Sequence, residues 1–246
     1  MIAVEICINC DSNQTVSESV GAAYSGGAST VELCGSMHLD GLTPTANQII
    51  DSRNAFKNRV GLMVMIRPRQ GDFYFSAQEL DTMIRQINIA SDSGADGIVI
   101  GVLNRKDNSV DTTSLSYLME ECLKKNLQVT FHRAFDATPN PIETLELLID
   151  FGINRVLTSG TEWGQSKTAL HGIEKLKQIV EISRNKIEVV IGGGIRSRNV
   201  TEVLNSVPLK NNKVSVHSYS GVQVNGITTL DEVKSLVEIV GKIEYL

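Results

Sequence analysis

The chain has 246 residues, 23 Lys+Arg against 28 Asp+Glu for a net charge of −5, and is 41% hydrophobic and 21% charged. That balance is ordinary for a soluble globular chain and excludes a disordered one, while the mild acidity excludes a nucleic-acid binder, which needs clustered Lys and Arg. No apolar run approaches the ~18 residues of a membrane span, the start Met1-Ile2-Ala3-Val4-Glu5 lacks the cationic segment of a secretory leader, and 4 cysteines are too few for a disulfide framework, so the expectation is a cytoplasmic protein with free thiols.

Short β-branched runs alternate with helix-period segments along the whole chain. Strands are expected at residues 2–8, 30–34, 60–66, 96–101, 128–132, 155–158, 188–191 and 214–217. Between them apolar residues recur at helical spacing: Leu80, Met83, Ile84 and Ile87; then Leu115, Leu118, Met119, Cys122 and Leu123; and last Leu230, Val233, Val237 and Val240. Ser76 with Glu79 and Thr229 with Glu232 read as capping boxes. Asn140-Pro141-Ile142-Glu143 combines an N-cap with Pro at the first helical position. The prolines (44, 68, 139, 141, 208) fall between the expected elements. Eight strand–helix units in about 250 residues predict a single (β/α)8 barrel spanning 1–246. A doubly wound open sheet is the alternative, and it usually has fewer strands.

Alternation along each strand decides what fills the barrel. Val4, Ile6 and Ile8 suit the helices, which turns Ala3, Glu5 and Cys7 inward. The segment Val31-Glu32-Leu33-Cys34 repeats the pattern of Val4-Glu5-Ile6-Cys7 and turns Glu32 and Cys34 inward. The same rule leaves Met63, Met65 and Arg67 inside on the third strand, Thr130 and His132 on the fifth, and Ser215 and His217 on the eighth. Parallel strands covered on both faces should be nearly continuous hydrophobic runs. Carboxylates, thiols, an arginine and histidines converging there mark a site. The purely structural alternative is a charge network in which Arg67 neutralises Glu5 or Glu32.

Cys7 and Cys34 end neighbouring strands, so their thiols could share a soft cation such as Cu(I), with Met63 or Met65 as a third ligand; otherwise they are small buried hydrophobes. Cys10 completes a C-x-x-C, but alternation sends it to the other side unless the turn folds it back. Cys122 belongs to a helix core. Gly192-Gly193-Gly194 after the seventh strand and His217-Ser218 after the eighth stand where barrels often bind anions through backbone N–H groups, although tight turns need glycine too. Arg67 and Arg133 would orient such an anion. His132 with Asp136 or Glu32 would form an acid–base pair. His38 and His171 read as loop residues without a role. No P-loop, HExxH, GxSxG or GxGxxG occurs, so no nucleotide cofactor is expected.

Several segments, taken in order, resemble the CutC copper-homeostasis family: Glu5-Ile6-Cys7, Val31-Glu32-Leu33-Cys34, Gly41-Leu42-Thr43-Pro44, Met65-Ile66-Arg67-Pro68-Arg69, Thr130-Phe131-His132-Arg133-Ala134-Phe135-Asp136, Val156-Leu157-Thr158-Ser159-Gly160 and Gly192-Gly193-Gly194-Ile195. The resemblance implies a cytoplasmic (β/α)8 barrel forming a homo-oligomer, dimer or tetramer, with Cys7 and Cys34 as Cu(I) ligands. Two departures stand out: the extra Cys10 in the first loop, and Ser218 where family members carry a further cysteine, which weakens the copper reading if that cysteine assists. The part beyond Val222 matches loosely. Two functions follow. One is a Cu(I)-binding protein. The other is an enzyme acting on a small anionic metabolite, a phosphorylated one included, with Glu5, Glu32 and His132 moving protons and Arg67, Arg133, Gly193, Gly194, His217 and Ser218 holding the anion. A blander third is an oligomeric scaffold with a degenerated site.

Overall fold

The computed structural model describes residues 2–243. Eight parallel strands close into one barrel in sequence order: β1 (Ala3–Asn9), β2 (Thr30–Cys34), β3 (Leu62–Met65), β4 (Gly97–Ile100), β5 (Gln128–Phe131), β6 (Arg155–Thr158), β7 (Glu188–Ile191) and β8 (Val214–Ser218). Helices α1 (Val16–Ser25), α2 (Ala46–Phe56), α3 (Ala77–Asp92), α4 (Thr112–Lys124), α5 (Pro141–Asp150), α6 (Ile173–Ser183), α7 (Val200–Asn205) and α8 (Leu230–Gly241) follow the strands in turn. A two-stranded antiparallel hairpin, β9 (Gln223–Val224) and β10 (Ile227–Thr228), lies between β8 and α8. This is the (β/α)8 barrel that the alternation predicts. No helix among the described residues is long and apolar enough to cross a membrane.

Four of the expected strands overran the observed ends, leaving Ile2, residues 60–61, Ile66, Asp96, Gly101 and His132 outside them. Asp96 stays outside β4 because its carboxylate accepts the N–H groups of Gly61 and Leu62 at 2.7 and 2.8 Å, clasping the start of β3. Val60 and His132 likewise fall just outside β3 and β5.

Strand alternation builds two cores. Val4, Ile6, Ile8, Val31, Leu33, Val64, Val129 and Val216 join the layer between barrel and helices. Cys7, Cys34, Met63, Met65 and Val99 form a separate cluster inside the barrel. At the helix starts, Thr15, Thr45 and Ser76 each close a two-way capping box with Glu18, Gln48 and Glu79. Asn140 caps α5 with Pro141 as its first helical residue. The box at Thr229 is only half made: its side chain accepts from Glu232, but its own N–H is taken by the Val222 carbonyl at 3.1 Å. Leu123, read as part of a buried stripe, is 71% exposed. Eight residues after Leu115 it has rotated about 80° from the stripe's centre. Leu230, the first residue of α8, is exposed too.

Candidate functional site

Closure of the barrel brings the inward polar residues together through strand register. Glu5 on β1 pairs with His217 on β8, and Cys7 pairs with Glu32 on β2. Cys34 sits one layer higher, beside Asn9. The two Glu-x-Cys segments are therefore offset by one pleat, and the Sγ atoms of Cys7 and Cys34 still come within 4.0 Å.

The lowest layer is a charge network. Arg155 Nη1 lies 2.7 Å from Glu5 Oε2, and its Nε lies 3.3 Å from Glu188 on β7. Thr30 donates to Glu5 at 3.0 Å, and Ser215 to Glu188 at 2.6 Å. Above it, His217 bridges two acids: Nδ1 is 2.9 Å from Glu5 and Nε2 is 3.5 Å from Glu32. Burial alone would push the Glu5 carboxyl up, but Arg155 and then His217 outweigh it and hold the group at about 2. Glu32 forms no ion pair with an arginine, and burial, aided by the Glu5 charge, outweighs the pull of His217 and the more distant Arg155, so its carboxyl is raised. Burial opposes the imidazolium of His217, but Glu32 and Glu5 together raise its pKa.

Cys7, Cys34 and Glu32 form the next layer, with their ligand atoms all within 4.8 Å of one another. The sulfur contact from Cys34 favours the Cys7 thiolate, yet burial and the charges of Glu32 and Glu5 prevail and push that thiol up to about 11. The contact with Cys7, then burial, raise Cys34 well above the ordinary thiol value. Both thiols are therefore protonated near neutrality. Two buried thiols and a carboxyl resisting ionisation are a donor set that a soft cation would complete, because it supplies the positive charge that the layer lacks.

The layer opens into a cavity of about 340 Å³ at the C-terminal end of the barrel, lined also by Met65, Arg67, Phe73, His132, Arg133 and Trp163. Arg67 does not neutralise Glu5 or Glu32. It extends past β3 and donates to the carbonyls of Leu39 and Asp40 at 3.2 and 3.0 Å and of Gly71 at 2.7 Å. Arg155, from the opposite wall, takes the role that was expected of it. Its signal is readable: β6 is Arg-Val-Leu-Thr, and its alternation turns Arg155 inward just as it turns Glu5 and Glu32.

His132 pairs with neither Asp136 nor Glu32. Its Nδ1 accepts the Ala134 N–H at 3.0 Å, while Asp136 binds Arg133 at 2.8 Å and the Ser159 N–H at 3.1 Å. Burial, then the neighbouring Arg67 cation, depress the His132 pKa to about 3, so the ring is neutral. Arg133 also donates to Ser159 Oγ at 2.7 Å. Gly193 and Gly194 lie in an adjoining recess of about 210 Å³ with Arg133, His217 and Tyr219. Their φ values are +90° and +77°, and a Cβ on Gly193 would meet Ser159 Cβ at 2.7 Å. Turn geometry accounts for these glycines without a ligand.

Ser218 lines neither space. Its Oγ donates to the Ile195 carbonyl at 2.8 Å behind the strand, so a cysteine at this position would not reach the thiol pair. Cys10 packs in the outer core and is not folded back, and Cys122 packs in the same core. His38 and His171 lie in single turns at the surface side of the loops.

A sequence model described as the CutC family matches residues 2–218. A family protein CutC of Vibrio cholerae is 38% identical over 200 residues, 81% of this chain and 74% of that protein. The copper homeostasis protein cutC homolog of Homo sapiens is 37% identical over 201 residues, 82% of this chain and 68% of that protein. The crystal structure of a CutC from Streptococcus agalactiae superposes with a TM-score of 0.77 at 26% identity, covering 89% of this chain and 99% of that one.

Proposed function

The chain belongs to the CutC family, and from that premise we propose that it serves copper homeostasis by holding Cu(I) between Cys7 and Cys34. The observation that carries this reading is the 4.0 Å between two buried sulfurs on adjacent strands. With metal–sulfur bonds of about 2.3 Å, two sulfurs this far apart subtend roughly 120° at a shared ion, the angle of a three-coordinate site. Thiolate and thioether donors select Cu(I) over harder ions. Met65, packed in the same cluster as both cysteines, is the third donor that matches this preference, and Glu32 is the harder alternative. The Glu5–Arg155–Glu188 network beneath the thiols holds β1 and the far wall in register and keeps the donors close before the ion arrives.

The copper is cargo, and the chain's part is to surrender two thiol protons on binding. A reducing cytoplasm suits the reading, since all four cysteines are free thiols. Assembly as a dimer or tetramer belongs to the same proposal. Ile89 on α3 and Tyr117 and Leu123 on α4 are exposed apolar side chains that a second copy would cover. Titration of Cu(I) against a competing chelator tests the site. Cys7→Ser/Cys34→Ser should lose at least about a hundredfold in affinity; a double variant that competes as well as the parent protein overturns the proposal.

A further inference from the structure

Thiol chemistry does not use the other side of the same cavity. Arg67 is 2% exposed, yet among the described residues it forms no ion pair. Its Nη atoms are taken by backbone carbonyls, whose dipoles offset the charge without neutralising it, and its Nε–H has no acceptor. His132 is 4% exposed. Because its Nδ1 accepts from Ala134, the single proton of the neutral ring lies on Nε2, and that N–H also has no partner. The two residues flank one ring: Arg67 Cζ stands 5.1 Å over Phe73, and the His132 ring is centred 5.0 Å from it. Neither nitrogen touches solvent, so bulk water does not satisfy them.

Buried donors and buried charges in native proteins are paired. Here Arg67 and His132 both line one cavity, and each holds a buried N–H without an acceptor just beneath its wall. The other cations of the mouth have partners: Arg133 has Asp136, Arg155 has Glu5, and His217 has Glu5 and Glu32. The exposed Asp40 stands at the rim. One buried positive charge is left, which matches a monoanion and not a polyphosphate. The remaining walls include Met37, Met65, Phe73, Leu157, Trp163 and Tyr219, which match an apolar body.

We propose that this cavity binds a small organic monocarboxylate with an apolar or aromatic body, its carboxylate oxygens accepting from Arg67 Nε–H and His132 Nε2–H through a small movement of the two side chains. The site is distinct from the triple-glycine recess and needs neither cysteine.

Calorimetric titration of the full chain with phenylacetate, isovalerate and inorganic phosphate, each to about 10 mM, tests the assignment. Saturable binding of a carboxylate is expected, with phosphate weaker. His132→Asn keeps an acceptor for the Ala134 N–H and removes only the Nε2–H, and it should weaken carboxylate binding by about tenfold or more. His132→Asn should at the same time keep Cu(I) affinity within about twofold in the chelator competition, which separates this site from the copper proposal. In imidazole NMR the His132 Nε2–H resonance should move during the titration. The proposal is overturned if neither carboxylate binds saturably, if His132→Asn binds as tightly as the parent, if phosphate binds more tightly than the carboxylates, or if that resonance stays fixed.

Discussion

Glu5 and Arg155 face each other across the barrel at 2.7 Å, both side chains almost wholly buried. An ion pair so placed gains little over an apolar pair of the same size, but losing one partner strands the other charge. Arg155→Met should therefore destabilise the fold by about 3–5 kcal/mol, read as a lower urea midpoint at neutral pH. Glu188 also loses a partner, so adding Glu5→Gln should recover part of the loss and not all of it. An Arg155→Met protein as stable as its parent would mean that Glu5 is held by His217 alone.

The thiol pair predicts a pattern among substitutions that leave the cavity untouched. Cys10→Ser and Ser218→Cys should each keep Cu(I) affinity within about twofold, because Cys10 packs in the outer core and Ser218 faces the Ile195 carbonyl. Either single serine at Cys7 or Cys34 should lose most of the binding. Because Cys7 is pushed up to about 11 and Cys34 is raised well above the ordinary thiol value, binding near neutrality must release protons. Apparent affinity should rise between about pH 6 and 8, by up to roughly tenfold per pH unit for each proton released. A flat profile in competition titrations would place the ion on other donors.

Alternation along β1 and β2 is enough to point Glu5, Cys7, Glu32 and Cys34 inward, since a strand covered on both faces has no structural need of acids. The same rule reaches Arg155 once β6 is read by parity, and an arginine opening a strand hides easily among rim residues. What alternation cannot carry is stagger. That His217 meets Glu5 follows from closing a barrel across 212 residues of chain, and no local pattern encodes it. Arg67 looks like the natural partner of the acids because it is the one arginine on the interior parity of β3. Only the three-dimensional arrangement shows that it stops among the carbonyls of residues 39–41 and 71. Missing partners are equally invisible in sequence: that Arg67 Nε and His132 Nε2 lack acceptors is a property of everything around them.

Gly101, just past β4, predicts a packing defect that reports on His132. A Cβ added there would collide with the His132 ring at Cε1 and Nδ1 and stand 2.7 Å from Ala134 Cβ. Gly101→Ala should cost about 1–3 kcal/mol and should displace the ring from the Ala134 N–H. Chemical denaturation gives the first number, and the imidazole resonances of His132 report the second. An alanine variant with unchanged stability and unchanged His132 signals would show that the ring has room to spare.

His132 should also shape the acid side of the stability profile. Its folded pKa is about 3 against an ordinary 6.5, because burial and Arg67 oppose the imidazolium. About a pH unit above 6.5 the ring is neutral in both states and contributes no pH dependence. Between 6.5 and about 3 the unfolded chain binds a proton that the folded chain refuses, so stability falls as pH falls. The loss over that window is on the order of 4 kcal/mol. Glu5 adds its own loss only as pH drops from 4.5 toward about 2, and it does so in any variant that keeps the Arg155 pair. Subtracting the urea stability of His132→Asn from that of the parent isolates the histidine. Asparagine still caps Ala134 and does not titrate, so the difference should be nearly constant above pH 7 and shift steadily toward the variant from about pH 6 to 4. A difference that does not vary with pH would mean that His132 gains a proton in the folded protein as readily as in the unfolded chain, and that the buried neutral ring facing Arg67 does not persist in solution.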